Sequence, residues 1–233
     1  HYRGDLAKLC LEVSEQSNVA ETAQEIILSK VFNSLSDPSR NALSVWSLVD
    51  VGMTKGEVCN LLQASVGMTN QQSLALLRLL RAQGIVQAID ADQLKIHDSL
   101  RLLGRRHLHT LARAVTQDAL QHLRTMLFRY LAVRRNPSRL ATLISVLLQL
   151  EDVEAIIGFA GEELFHEMGP SMEFMSYLDQ IAISPQVEPT QRFWALDGLI
   201  FSDVKNGRHD NLTERFDQMR RLEQVLVTVD QLA

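Results

Sequence analysis

The chain has 233 residues, 46% hydrophobic and 22% charged, with a formal net charge of −5. That composition provides apolar residues for one large or two small cores and excludes a disordered chain. The longest apolar stretch, LATLISVLLQL at 140–150, is broken by Thr, Ser and Gln and falls short of the roughly 20 residues a membrane-crossing helix needs, so no membrane partner is expected. Two cysteines, Cys10 and Cys59, stand far apart in apolar helical patterns, as small buried hydrophobes of a reducing cytoplasm would. A start on His inside a helical pattern, with no basic segment leading into an apolar one, points to a piece of a longer cytoplasmic protein.

In chain order, GDLAKLCLEVSEQ and NVAETAQEIILSKVFNSL both place apolar residues at helical spacing, the second opened by Asn18 with Glu21 three residues on. Residues 1–35 therefore form a helical lead-in. Ser36 or Asp37 then caps a helix with Pro38 in its first turn, an apolar face of Leu43, Trp46, Leu48 and Val49, and an end at Gly52. Thr54 with Glu57 opens a second helix, and Thr69 or Asn70 opens a third, closed by Gly84. IVQAI, DAD and QLKIHD read as strand, turn and strand. Three helices and a hairpin are the order of a winged helix-turn-helix, assigned to 36–109, with Leu43, Trp46, Leu61, Leu74, Leu77, Leu80, Val86 and Ile96 as its core.

Beyond residue 99 the pattern is helical throughout, at 99–134, 138–150, 152–168, 171–183, 189–205 and 208–231, with links at Asn136-Pro137, Gly169-Pro170, Ser184-Pro185 and Asn206-Gly207. Short links between helices predict an antiparallel helical arm of solenoid type over 110–233. The pair around FWALDGLIFSDVKNGRHDNLTERFDQM loosely resembles a tetratricopeptide unit, with Trp194, Gly198, Phe201 and Phe216 as packing positions. The fold class is thus mainly α: a winged helix-turn-helix with one β-hairpin, then a helical arm.

The net charge conceals two blocks. Residues 101–140 carry nine arginines against a single acid, Asp118, whereas 141–190 carry nine acids and neither Lys nor Arg. Blocks of opposite sign that nearly cancel are expected to pair, the arginines meeting Glu151, Asp152, Glu154, Glu162 and Glu163.

The common catalytic templates are missing: no GxxxxGK phosphate loop, GxGxxG, GxSxG or HExxH occurs. Catalysis is not expected of this chain. Glu163 and His166 have the spacing of a di-iron ligand pair without the second pair such a site requires, and His107 and His109 diverge on a helix, so no metal is expected either.

Two resemblances fall on the central segment. FNSLSDPSRNALSVWSL, GEVCNLL and LRLLRAQGIV resemble the arsenic-sensor family of winged-helix repressors, whose paired metal-binding cysteines would fall near GEVCNLL, where this chain has only Cys59. Such a domain would read DNA with its third helix, here bearing Arg78 and Arg81, although the acidic hairpin tip DAD opposes an approach to phosphate.

The second resemblance spans more of the chain. A helical segment, SLSDPSRNALSVWSLVDVGMTKGEVCNLL, LALLRLLRAQGIVQAIDADQLKIHDSLRLLGRRHL and a helical arm are together similar to the later half of the signal-transduction ATPases with numerous domains, the class that includes NB-ARC proteins. There a winged helix ends in an apolar residue followed by His-Asp, matched here by Ile96-His97-Asp98. The resemblance implies that His97 contacts the diphosphate of ADP held by an ATPase core elsewhere in the polypeptide, and that Asp98 caps the following helix. Partners would then be protein domains: the core in cis and a protein ligand of the arm. The nucleotide, ADP or ATP, belongs to the core, and this chain carries no cofactor of its own. Arg78, Arg81, Arg101, Arg105 and Arg106 are the candidate interaction residues. The alternative is a winged-helix transcriptional regulator with a helical effector or dimerisation domain, its Arg block on DNA phosphates.

Overall fold

A computed structural model of the protein describes residues 23–162, 165–166 and 171–232. The first helix expected from the sequence, the Asn18–Glu21 cap, Cys10, Glu163 and the Gly169-Pro170 link lie outside these residues. Among the described residues the chain is mainly helical, with eleven helices and a small three-stranded antiparallel sheet. It divides into two compact units, one ending at Val133 and the other beginning at Arg134. No helix among the described residues is long and apolar enough to cross a membrane.

In the first unit, α1 (Ala23–Ser34) precedes α2 (Asp37–Trp46), which has Pro38 in its first turn and Ser36 at its N-cap. The expected end of α2 at Gly52 is corrected: the helix stops at Trp46. Ser47 is buried and its hydroxyl donates to the Ser44 carbonyl at 2.6 Å, a local bond that competes with continuation of the helix. Gly52 has a different task, because a side chain there would meet Gln93 and Ile89 of the hairpin. The close approach lets β1 (Met53–Thr54) pair with β3 (Gln93–Ile96), and β3 pairs in turn with β2 (Val86–Ala88), giving the order β1-β3-β2.

Between β1 and β2 lie α3 (Lys55–Val66) and α4 (Asn70–Ala82). Both open with reciprocal capping boxes, Thr54 with Glu57 and Thr69 with Gln72. Gly84 takes positive φ just after α4, where a side chain would be strained. Trp46, Leu43, Leu61, Leu77, Leu80, Val86 and Ile96 are buried as expected, while Leu74 is only half-buried.

The expected single helix over 99–134 is two helices, α5 (Asp98–Leu108) and α6 (Arg113–Leu131). α5 packs along α2, held close at Gly104, where an added Cβ would lie 2.9 Å from Ser47 Cβ. α6 packs instead on α3, and so belongs to the unit that ends at Val133. One straight helix could not serve both surfaces, and the turn at 109–112 redirects the chain.

The second unit comprises α7 (Pro137–Leu150), α8 (Val153–Ala160), α9 (Met172–Ile183), α10 (Pro189–Lys205) and α11 (Leu212–Leu232). Asn136, Asp152 and Ser171 cap α7, α8 and α9 by accepting from a backbone N–H three residues on. α10 packs against α8, α9 and α11. Its inward face is Ala195, Leu196, Gly198, Leu199, Ile200, Ser202 and Asp203. Of the four packing positions expected from the tetratricopeptide likeness, Gly198 alone is buried; Trp194, Phe201 and Phe216 are 52%, 38% and 45% exposed. Small residues and leucines permit the close helix approach and leave these three aromatics partly exposed.

Gly198 shows how close that approach is. A methyl group at 198 would lie 2.5 Å from Ala160 Cβ and 3.1 Å from its carbonyl oxygen. Alanine is the better helix former by about 1 kcal/mol, yet Gly198→Ala is expected to destabilise the second unit by about 1–3 kcal/mol, the usual penalty for overpacking. Urea unfolding followed by circular dichroism measures the balance. A midpoint at or above that of the parent would mean that α8 yields freely.

Candidate functional site

The hairpin–helix junction gathers the residues that the sequence singles out. His97 occupies the N-cap position of α5: its backbone N–H donates to the Ile85 carbonyl at 2.9 Å, and its carbonyl accepts from Leu100 and Arg101, both at 3.0 Å. Its ring is exposed and makes no capping bond.

The capping role expected of Asp98 is corrected. Asp98 is the first residue of the helix rather than the residue before it, so its side chain turns to neighbouring cations. Lys95 Nζ lies 3.0 Å from Asp98 Oδ1, and Arg101 Nε lies 3.6 Å from the same oxygen. The hydrogen bond from Lys95, followed by the charges of Lys95, Arg101 and His97, lowers the Asp98 pKa below the usual carboxylate range. Arg101 also reaches Asp50, Nη1 to Oδ2 at 3.8 Å, from the segment after α2. Lys95 and Asp50 are the partners that sequence reasoning missed. The i, i+3 spacing from Lys95 to Asp98 and from Asp98 to Arg101 could have revealed the local pairs, whereas Asp50 carries no such signal.

Chemically the junction is balanced, with Lys95 and Arg101 facing Asp98 and Asp50. It is no polyphosphate cradle by itself, because the acids already occupy its cations. What it presents outward is the His97 ring, which can donate one hydrogen bond to an anion supplied by another surface.

The other candidate residues are dispersed. Arg105 donates from Nε to the Ser47 carbonyl at 3.1 Å, which ties α5 to the end of α2, while Arg106 is exposed. Arg78 and Arg81 lie on the exposed side of α4, with the half-exposed Leu79 between them in sequence. Asp90 and Asp92 are exposed at the hairpin tip.

Three residues of the two charge blocks have partners within their own unit. Arg101 and Arg105 are used within the first unit, and Asp179 is met by Arg215 of α11 at 2.9 Å. His107 donates from Nε2 to Asn41 Oδ1 at 3.3 Å and packs edge-on against Phe32, a structural role. His166 is buried, with Nε2 donating to the Ala160 carbonyl at 2.6 Å and its ring packed against Phe165 and Phe201. No group of three metal-ligating side chains occurs among the described residues. The Cys59 thiol is buried, and burial raises its pKa, which suppresses the reactive thiolate.

Comparison with protein families finds no matching family model, and comparison with curated proteins finds no match. Among solved structures the chain is similar to a signal transduction ATPase with numerous domains from Pyrococcus horikoshii that carries a tetratricopeptide repeat sensor, at 14% identity and a TM-score of 0.34. That similarity covers 90% of this chain and 35% of the other, so the chain spans about a third of that protein's length.

Proposed function

We propose that the chain is the non-catalytic regulatory region of a signal-transduction ATPase with numerous domains. In this reading residues 36–109 form a winged helix that closes over nucleotide held by an ATPase core elsewhere in the polypeptide, and the helical arm senses a stimulus or binds a protein. The observation that carries it is the junction. The order α2, β1, α3, α4, β2, β3, with sheet order β1-β3-β2, delivers Ile96-His97-Asp98 to the start of α5. Ile96 is buried to anchor the strand, Asp98 is held by Lys95, and His97 is left facing outward. An exposed ring between two anchored neighbours is positioned to meet phosphate oxygens on a second surface.

A second reading, a DNA-binding regulator, draws on the exposed Arg78 and Arg81 of α4. The exposed Asp90 and Asp92 at the hairpin tip oppose it, because that tip would have to approach the phosphate backbone.

Salt-titrated binding of mixed-sequence duplex DNA separates the two. The switch reading expects no submicromolar affinity at about 150 mM salt and little change when Arg78 and Arg81 become Ala. Submicromolar binding lost in that double variant would overturn it in favour of the regulator. Mg-dependent ATP turnover by this chain alone would also sink it. In the full-length polypeptide that the reading requires, His97→Ala is expected to shorten the retention of ADP, and unchanged retention would remove the role given to His97.

A further inference from the structure

A groove of about 540 Å³ runs between α3 and α6, away from the residues considered above. Leu120, Leu123 and Leu127 bury the inner face of α6. Asp118, His122, Thr125 and Arg129 follow one another at i, i+4, i+7 and i+11, a single stripe along the groove. Asn60 and Ala64, one turn apart on α3, form the opposite wall. Asp118, His122 and Arg129 make no side-chain hydrogen bond or ion pair among the described residues, and Asp118 and Arg129 are exposed.

We infer that this groove binds an extended peptide segment about five residues long, with a basic side chain at the Asp118 end and an acidic group at the Arg129 end. Helix geometry sets the length. Eleven residues of helix separate the two charges by about 16 Å, which an extended chain spans in about five residues. The volume lies within the range of ligand sites, roughly 300–1,000 Å³.

Charge selects the chemistry. One acid and one cation at opposite ends cancel, so a phosphate or nucleic-acid backbone finds no net attraction, and a free amino acid is too short to reach both. Burial, and then the charge of Arg129, pushes the His122 pKa below the ordinary imidazole range, which favours the neutral ring with one donor and one acceptor. Together with Asn60 and Gln121, that ring offers what the backbone of an extended peptide needs between its charged ends. α6 follows the residues assigned to the winged helix, and the inference does not rest on the switch reading.

The test is selection from a phage-displayed random peptide library, run in parallel on the full chain and on its Asp118→Lys, Arg129→Glu variant. Peptides selected on the parent are expected to carry Lys or Arg and Asp or Glu about four or five residues apart, always in one order. The charge-reversed variant is expected to select the opposite order. A synthetic peptide from the first set should bind that variant at least about tenfold more weakly. Both substitutions are at exposed positions, and the circular dichroism spectrum should be unchanged. If the double variant nevertheless unfolds, Arg129→Gln alone should abolish the preference for an acidic end. Failure to enrich, identical sequences from both proteins, or charges spaced about eleven residues apart as on a helical ligand would overturn the inference.

Discussion

Replacing Trp46 by Ala is expected to destabilise the first unit by about 3–5 kcal/mol, the usual range for deleting a buried indole. Trp46 is the last residue of α2 and is 2% exposed. Leu43 and Val49, one turn before it and three residues after it, are buried as well. The cavity left by Ala would lie within a buried core, where little collapse can offset it. Leu79, in contrast, sits on α4 at 46% exposure, and Leu79→Ala should change stability by less than about 0.5 kcal/mol. The chain has two tryptophans, and the other, Trp194, lies in the second unit at 52% exposure. Urea unfolding monitored by circular dichroism therefore compares the variants, and in a Trp194→Phe background the emission of Trp46 follows the parent first unit alone. Equal midpoints for Trp46→Ala and Leu79→Ala would refute the assignment of Trp46 to the core.

Trp46 was legible because one-dimensional periodicity marks it. Leu43, Trp46 and the turn that follows repeat at helical spacing, and the boxes Thr54–Glu57 and Thr69–Gln72 punctuate the next two helices with bonds that need only local sequence. The hairpin is equally local, since the acidic tip falls between the short runs IVQAI and QLKI. What escaped the sequence depends on a partner remote in the chain. β1 has two residues and no period to display, and it exists because Gly52 lets β3 come close. The break between α5 and α6 has no Gly or Pro to announce it, because α2 and α3 draw the two helices to different surfaces. At the candidate site, the sequence located His97 but placed the cap one residue late, and Asp50 could not be linked to Arg101 by spacing. The α3–α6 groove is the extreme case, because each wall alone reads as an ordinary solvated helix face.

The ion cluster that joins α9, α10 and α11 is also beyond reach of periodicity, and it underlies the second large effect. Asp203 of α10 is 7% exposed at its side chain and accepts from Arg215 of α11; Arg208 approaches its other oxygen at 3.3 Å. Arg215, itself 13% exposed, also meets Asp179 of α9 at 2.9 Å and the Leu199 carbonyl at 3.3 Å. Two mostly desolvated charges gain little as a pair, but removing one leaves the other without compensation. Asp203→Ala is therefore expected to cost about 3–5 kcal/mol, although it deletes only a small side chain. Asp179 is half-exposed and cannot replace the lost partner, because water screens its attraction for Arg215. The companion variant, Asp203→Ala with Arg215→Met, removes the stranded guanidinium and keeps the length of the side chain. It should recover most of the loss, because well-packed apolar replacements of buried ion pairs are often neutral or better. Denaturant unfolding of both variants, compared with the parent, decides the matter. A loss below about 1 kcal/mol for the single variant, or a double variant no more stable than the single, would mean that the cluster behaves as a solvated surface network and that apolar packing alone holds α10 to α11.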